Sequence, residues 1–196
     1  MKKLFITLLT TTIVTTALLS HNPTATAKDK LSEYDIKVNN TITTCYRNLT
    51  TKQLDYFKVE GYHIQFLKEG ENICDIDEYK DATDATAIID YENHKIYVKY
   101  FPSEELMVSN LYHELGHMLD SSKDFISETD DFNFIWDERE EFFSHFSYPT
   151  EYFKKSRREC FAQMYSVYKQ FPEWMCENYG YIYNYFLILE TNTPTE

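Results

Sequence analysis

The spacing of apolar positions changes along the chain, and each change marks an element. Residues 28 to 60 read as helical, with a break near Asn48 to Thr51. Thr51 can cap a second run, Lys52 to Lys58, which Gly61 ends. Tyr62 to Leu67 reads as a strand, and the acidic stretch Asp75 to Asp84, which lacks the glycine and closing glutamate of a calcium loop, reads as a solvated loop. Thr86 to Tyr91 and Lys95 to Phe101 are β-rich runs joined at Glu92-Asn93-His94, so a hairpin ending at Pro102 is expected. Ser103 then caps a helix to about Ser121, with Glu104 and Glu105 in its first turn and Leu111, Leu115, Met118 and Leu119 as its apolar stripe. Residues 122 to 150 are charged and aromatic, with a shorter helix around Asp137 to Glu141. A further helix runs from Ser156 to Gln170, striped by Phe161, Met164, Tyr165 and Tyr168, and after Pro172 a last helix spans roughly Glu173 to Leu189. The pattern predicts a compact α+β domain: a small sheet, with an edge strand near Ile96 to Phe101 beside the Ser103 helix, and a helical C-terminal part.

The first residues carry a different signal. Lys2 and Lys3 precede an uncharged stretch, Leu4 to Leu19, and Ala25-Thr26-Ala27 is an A-x-A cleavage site, so residues 1 to 27 read as a signal peptide. Residues 28 to 196 are then one domain of an exported, secreted protein, without stable membrane association once the leader is removed. Losing Lys2 and Lys3 takes the net charge from −13 to −15, because no acidic residue leaves with them. Such a chain repels nucleic acid, and a monomer is expected. Cys45, Cys74, Cys160 and Cys176 all lie in the exported part, where disulfides are permitted; buried free thiols are the equal alternative, and no C-x-x-C pair suggests a cysteine metal site.

The chemistry concentrates in His113-Glu114-Leu115-Gly116-His117, an H-E-x-x-H motif on the Ser103 helix. Residues four apart share a helix face, so both imidazoles can face one metal ion. Glu114 can then act on a water at the metal without ligating it, as a general base. Zinc suits this donor set, accepting imidazole and carboxylate while keeping one position open for water. The extended pattern, with a glycine and a third ligand following the second histidine, fails because those positions are Asp120 and Lys123. A later carboxylate is required. Glu159 shares a helix face with Ala162, Gln163 and Ser166 and is a candidate, although Ser156-x-x-Glu159 is equally a capping box. His145 is a rival ligand. Asp120, one turn past His117, is either a hydrogen-bond partner of a ligand histidine or an ordinary acid near the helix end.

Taken with Tyr152 and Glu159 in Tyr152-Phe153-Lys154-Lys155-Ser156-Arg157-Arg158-Glu159-Cys160-Phe161-Ala162, the motif resembles the catalytic domain of the anthrax lethal factor family, which includes the secreted clostridial Pro-Pro endopeptidases. The resemblance covers about residues 85 to 170. It implies a zincin-like fold and Glu159 as third zinc ligand, 42 residues past His117. It also implies that Tyr152, seven residues before Glu159, acts on the oxyanion or the leaving amine. There is no room for the receptor-binding and docking domains of lethal factor, and no residues match those that select Pro-Pro substrates. Arg158 places a cation just before the third ligand.

The expected activity is therefore zinc-dependent endopeptidase action on an extended peptide or protein substrate. His113, His117 and Glu159 hold Zn2+, and Glu114 and Tyr152 are catalytic. The rival expectation is an exported binding module that keeps zinc for structure, against which the presence of Glu114 speaks; a further one is an enzyme of this fold acting on a non-protein amide.

Overall fold

A computed structural model describes residues 31–147 and 150–191, and the leader expected at residues 1 to 27 lies outside them. The first helix, α1 (Glu33–Arg47), begins at a reciprocal cap in which the Asp35 N–H donates to Ser32 Oγ and the Ser32 N–H to Asp35 Oδ2, each at 3.1 Å. The next, α2 (Thr51–Val59), starts one residue earlier than expected. Thr50 is its cap, because Gln53 stands at the third helical position and returns a bond to the Thr50 N–H at 2.9 Å. Gly61 then turns the chain with φ +72°, a left-handed conformation that glycine adopts without strain.

Strand β1 (His63–Phe66) is followed by two short 3₁₀ turns and then by β2 (Ala87–Asp90) and β3 (Lys95–Val98). The hairpin pairs Ala87 with Val98 and Asp90 with Lys95. Its turn is fixed by the Asp90 carboxylate, which accepts from the N–H groups of Glu92 and Asn93 at 3.1 and 2.9 Å. The sheet order is β1-β3-β2, with β1 parallel to β3. This corrects the expected edge: β3 is the central strand, and β2 is the edge on the helix side. The reason lies in burial on both faces of β3. Ile96 and Val98 join the main core, while Tyr97 packs in a smaller cluster with Leu67 and Ile73. A strand hydrophobic on both faces is a central one.

Helix α3 (Glu104–Ser121) is capped by Ser103, whose hydroxyl accepts from the Leu106 N–H at 3.2 Å. Its stripe residues Leu111, Leu115, Met118 and Leu119 are all buried, between the sheet on one side and α6 (Arg157–Gln170) on the other. Between them the chain forms two short helices, α4 (Asn133–Asp137) and α5 (Arg139–Ser144), rather than one helix across Asp137 to Glu141. Arg139 breaks the run by turning back: its guanidinium lies 4.1 Å from the Trp136 ring and donates to the Trp136 carbonyl.

The expected last helix is likewise two, α7 (Pro172–Asn178) and α8 (Gly180–Thr191). Tyr179 leaves helical geometry at φ −137°, ψ 51° and places its buried ring 5.0 Å from Phe142. Aromatic burial here outweighs one turn of helical hydrogen bonding. All four cysteines are free thiols, with Cys45 and Cys160 fully buried. Burial pushes the Cys160 thiol up to about 12, so it is unreactive near neutral pH.

Candidate metal centre

The centre is assembled where α3 and α6 touch. Gly116 makes that approach possible: a Cβ there would lie 2.8 Å from the Ala162 Cα and 3.0 Å from its carbonyl oxygen. Only hydrogen fits between the two backbones, so the glycine inside the H-E-x-x-H motif sets the depth at which Glu159 meets the histidines. Two polar ties fix the same interface further along, Ser166 Oγ donating to the Ser109 carbonyl at 2.9 Å and the Gln170 amide to Ser109 Oγ at 3.2 Å.

The two readings of Glu159 separate here. Ser156 does cap α6, accepting from the Glu159 N–H at 3.4 Å, but the carboxylate does not return to Ser156. It extends to both histidines instead, with Oε2 at 3.0 Å from His113 Nε2 and Oε1 at 3.5 Å from His117 Nε2. Ligands held about 2.0–2.1 Å from a tetrahedral zinc ion lie ~3.3 Å from one another, so these separations suit one metal ion held by three protein groups. The donor atoms of His113, His117 and Glu159 all fall within 4.8 Å of one another, the one such group among the described residues. His113 is oriented by Gln163, whose amide oxygen lies 3.1 Å from Nδ1; a proton on Nδ1 directs the Nε2 lone pair into the centre.

Electrostatics reinforce the geometry. Burial favours the neutral form of Glu159, but its hydrogen bonds to His113 and His117 outweigh that and hold the carboxyl well below the usual range. For His117, burial opposes protonation, yet the Glu159 bond and the neighbouring carboxylates raise its pKa above 6.5. Glu114 is 4% exposed, and burial raises its pKa despite the two adjacent imidazoles. A carboxyl displaced towards neutrality is suited to accept and return protons there.

The centre opens on a cleft of about 1000 Å³ running from the β2 edge across the motif to Tyr152 and Arg158. Thr86 accepts from the Lys99 N–H at 2.8 Å, so alternation along the ladder turns the N–H and C=O groups of Ala87 and Ile89 away from β3, and the Ile89 N–H faces Glu114. Tyr152 is 63% exposed at the mouth, and burial of its phenol together with the nearby charge of Glu159 pushes its pKa up to about 12. It therefore remains a donor at neutral pH.

Other expectations resolve differently. Asp120 is fully buried, and its carboxylate accepts from the Ser127 N–H at 2.8 Å and the Ser127 hydroxyl at 2.7 Å, holding the loop after α3 rather than a histidine. His145 packs among Trp174 and Tyr179, away from the centre. Three cleft roles escaped sequence reasoning: that of Gln163 against His113, and those of Tyr91 and Asn110. Tyr91 lines the cleft and donates to the His117 carbonyl at 3.4 Å. Asn110 stands one turn before His113, with its Nδ2 donor buried and unpartnered among the described residues. Spacing could have flagged two of them, since Gln163 follows Glu159 by one turn as Asn110 precedes His113. No family model, curated protein or solved structure matches the chain.

Proposed function

We propose that the chain is an exported, zinc-dependent endopeptidase of zincin-like architecture, related to the lethal factor catalytic domain that the two motifs resemble. The observation that carries this reading is the buried Glu114 carboxylate, raised in pKa, between two histidines that meet Glu159. A site that held a metal for structure alone would have no use for that carboxylate.

His113, His117 and Glu159 would hold zinc, which would supply a Lewis acid for the scissile carbonyl and lower the pKa of water there towards ~7. Glu114 accepts the proton of the attacking water at its carboxylate and later gives it to the departing nitrogen. Tyr152, protonated at neutral pH, donates to the oxyanion that develops on the carbonyl carbon's oxygen. An extended substrate adds to β2 by bonding the outward groups of Ala87 and the Ile89 carbonyl, since the Ile89 N–H faces Glu114, and the unpartnered Asn110 Nδ2 offers one further donor to its backbone. Gln163 keeps His113 in the tautomer that the centre requires.

Glu114→Gln tests the reading. Size and helix propensity are nearly conserved, so zinc content by elemental analysis and thermal midpoint should match the parent. Peptide hydrolysis should fall by about 10²- to 10⁴-fold, the usual worth of a positioned base. Hydrolysis at the parental rate would remove Glu114 from the chemistry. A parent that binds a specific protein and zinc yet cuts nothing in a broad peptide library would replace the enzyme with a binding module.

A further inference from the structure

Among the described residues lining the cleft, Arg158 is the one lysine or arginine. Its side chain is 38% exposed, and its guanidinium carbon lies 4.0 Å from the Phe125 ring centroid and 6.0 Å from that of Tyr91. At that distance the group packs against the Phe125 ring, and its side chain lines the cleft.

The support beneath it is costly to maintain. Asp124 and Phe125 both adopt left-handed backbone, at φ 53° and 59°, which an aromatic such as Phe125 rarely does and which strains it. Asp120 holds that turn: its carbonyl accepts from the Phe125 N–H at 2.9 Å, and its carboxylate from Ser127. Arg158 is the nearest cation to the buried Asp120, but the pair is not hydrogen-bonded. The nearest approach, Arg158 Nε to Asp120 Oδ2, is 4.0 Å, beyond hydrogen-bond range, while both Asp120 oxygens are occupied by Ser127. A guanidinium is thus held against an aromatic ring at the wall of the cleft, in a chain of net charge −13 that otherwise repels anions.

We propose that Arg158 is the anchor for a substrate carboxylate, so that the peptides cut here carry a carboxylate within a residue or two of the scissile bond. The short reach follows from the covalent neighbourhood of Arg158 and Glu159 on α6. Paired N–H donors of a planar guanidinium match the two oxygens of a carboxylate. The carboxylate is either that of an Asp or Glu side chain or the C-terminus of a short peptide. This inference rests on the peptidase reading.

The test is a diverse peptide library, made with free and with amidated C-termini, digested by the zinc-loaded full chain and by Arg158→Gln and Arg158→Glu, with cleavage read by mass spectrometry. Within each protein, the ratio of cutting at carboxylate-bearing to matched neutral sites cancels differences in folded fraction. The parent should favour Asp or Glu at one fixed position, or, if the C-terminus is the ligand, should lose its preferred cuts on amidation. The ratio should fall about 10-fold in Arg158→Gln and invert towards Lys or Arg in Arg158→Glu. Cutting without acidic preference, or a preference unchanged in both variants, overturns the assignment of Arg158 alone. A parent that cuts no peptide overturns the peptidase reading, and this inference with it.

Discussion

In the proposed centre, protons and zinc would compete for the same atoms, so metal uptake would be a titration. Glu159 lies 3.0 Å from His113 and 3.5 Å from His117. The pKa of His117 is raised above 6.5 in the fold, so its proton stabilises the metal-free protein fully below about 6.5, and that stabilisation is lost as pH rises through the raised value. Glu159, held well below the usual carboxylate range, stays ionised throughout and adds no pH dependence there. Zinc affinity should therefore climb up to about tenfold per pH unit until the His117 value is passed and then flatten, as a competition titration against a chromophoric chelator would record. The thermal midpoint of the metal-free protein should fall over the same interval; an affinity already flat across it would place the displaced proton elsewhere. In the proposed mechanism Tyr152 acts at a different stage. Since it is 63% exposed, Tyr152→Phe should leave zinc content and stability near the parent while lowering turnover by roughly 10²-fold, and steady-state kinetics with full turnover would return it to the surface aromatics. The sequence made His113, Glu114 and His117 readable because helical spacing alone brings them together. Glu159 was undecided by spacing, because the same Ser156-x-x-Glu159 that caps a helix also releases a carboxylate to reach across to another one. Spacing sets Asn110 and Gln163 a turn from His113 and Glu159, but their roles are set by what faces them across the interface.

At the scale of elements, the contact of α3 with α6 is the part of the fold on which the centre depends most. A methyl group at position 116 would meet the Ala162 backbone at 2.8 Å, where no flexible side chain can yield, so the helices themselves must separate. Gly116→Ala gains helix propensity and should nonetheless destabilise, by about 1–3 kcal/mol for overpacking. Its sharper mark would be weakened zinc binding, because α6 carries Glu159 away from two histidines that stay on α3. Denaturation and zinc titration together check this; a variant more stable than the parent with unaltered zinc affinity would mean that the backbones are not held at that depth. The elements themselves were largely legible, down to the Ser103 and Ser156 caps, since caps and stripes are local. Two misreadings share a cause. The position of β3 in the sheet depends on its parallel pairing with β1, and the split at Tyr179 depends on the ring finding Phe142. Both are contacts across long stretches of sequence, and local periodicity is blind to them.

Across the whole molecule, the framework that carries the centre is closed by a buried charge cluster at the opposite end of α6. Lys169 Nζ lies 2.5 Å from Glu190 Oε1 on α8, and both side chains are almost fully buried. Tyr165 and Tyr168 donate to the same carboxylate at 2.8 and 3.2 Å, the Gln53 amide on α2 donates to the Tyr165 hydroxyl at 2.7 Å, and Lys169 also reaches the Asn48 carbonyl at 2.7 Å. Three helices are thereby tied through one carboxylate. Glu190→Gln keeps its shape, but its amide nitrogen cannot accept, so one of the two tyrosine bonds is lost, and the Lys169 ammonium, whose pKa burial already lowers, is left without a counter-charge. Removing one member of a buried pair costs about 3–5 kcal/mol, which in a chain of this size is a fall of roughly 10 °C in Tm. Replacing both, as Lys169→Met with Glu190→Leu, should recover much of that loss, because the uncompensated charge rather than the missing attraction is the penalty. Lys169 stands ten residues past Glu159, about 15 Å along the helix, so the cluster and the metal centre should respond independently. The folded fraction of Glu190→Gln is therefore expected to bind zinc one to one with parental affinity at a temperature well below its midpoint. Differential scanning calorimetry beside a zinc titration separates the two quantities. If zinc affinity fell in step with Tm, the cluster would be coupled to the position of Glu159, and α6 would be transmitting the change from one end to the other.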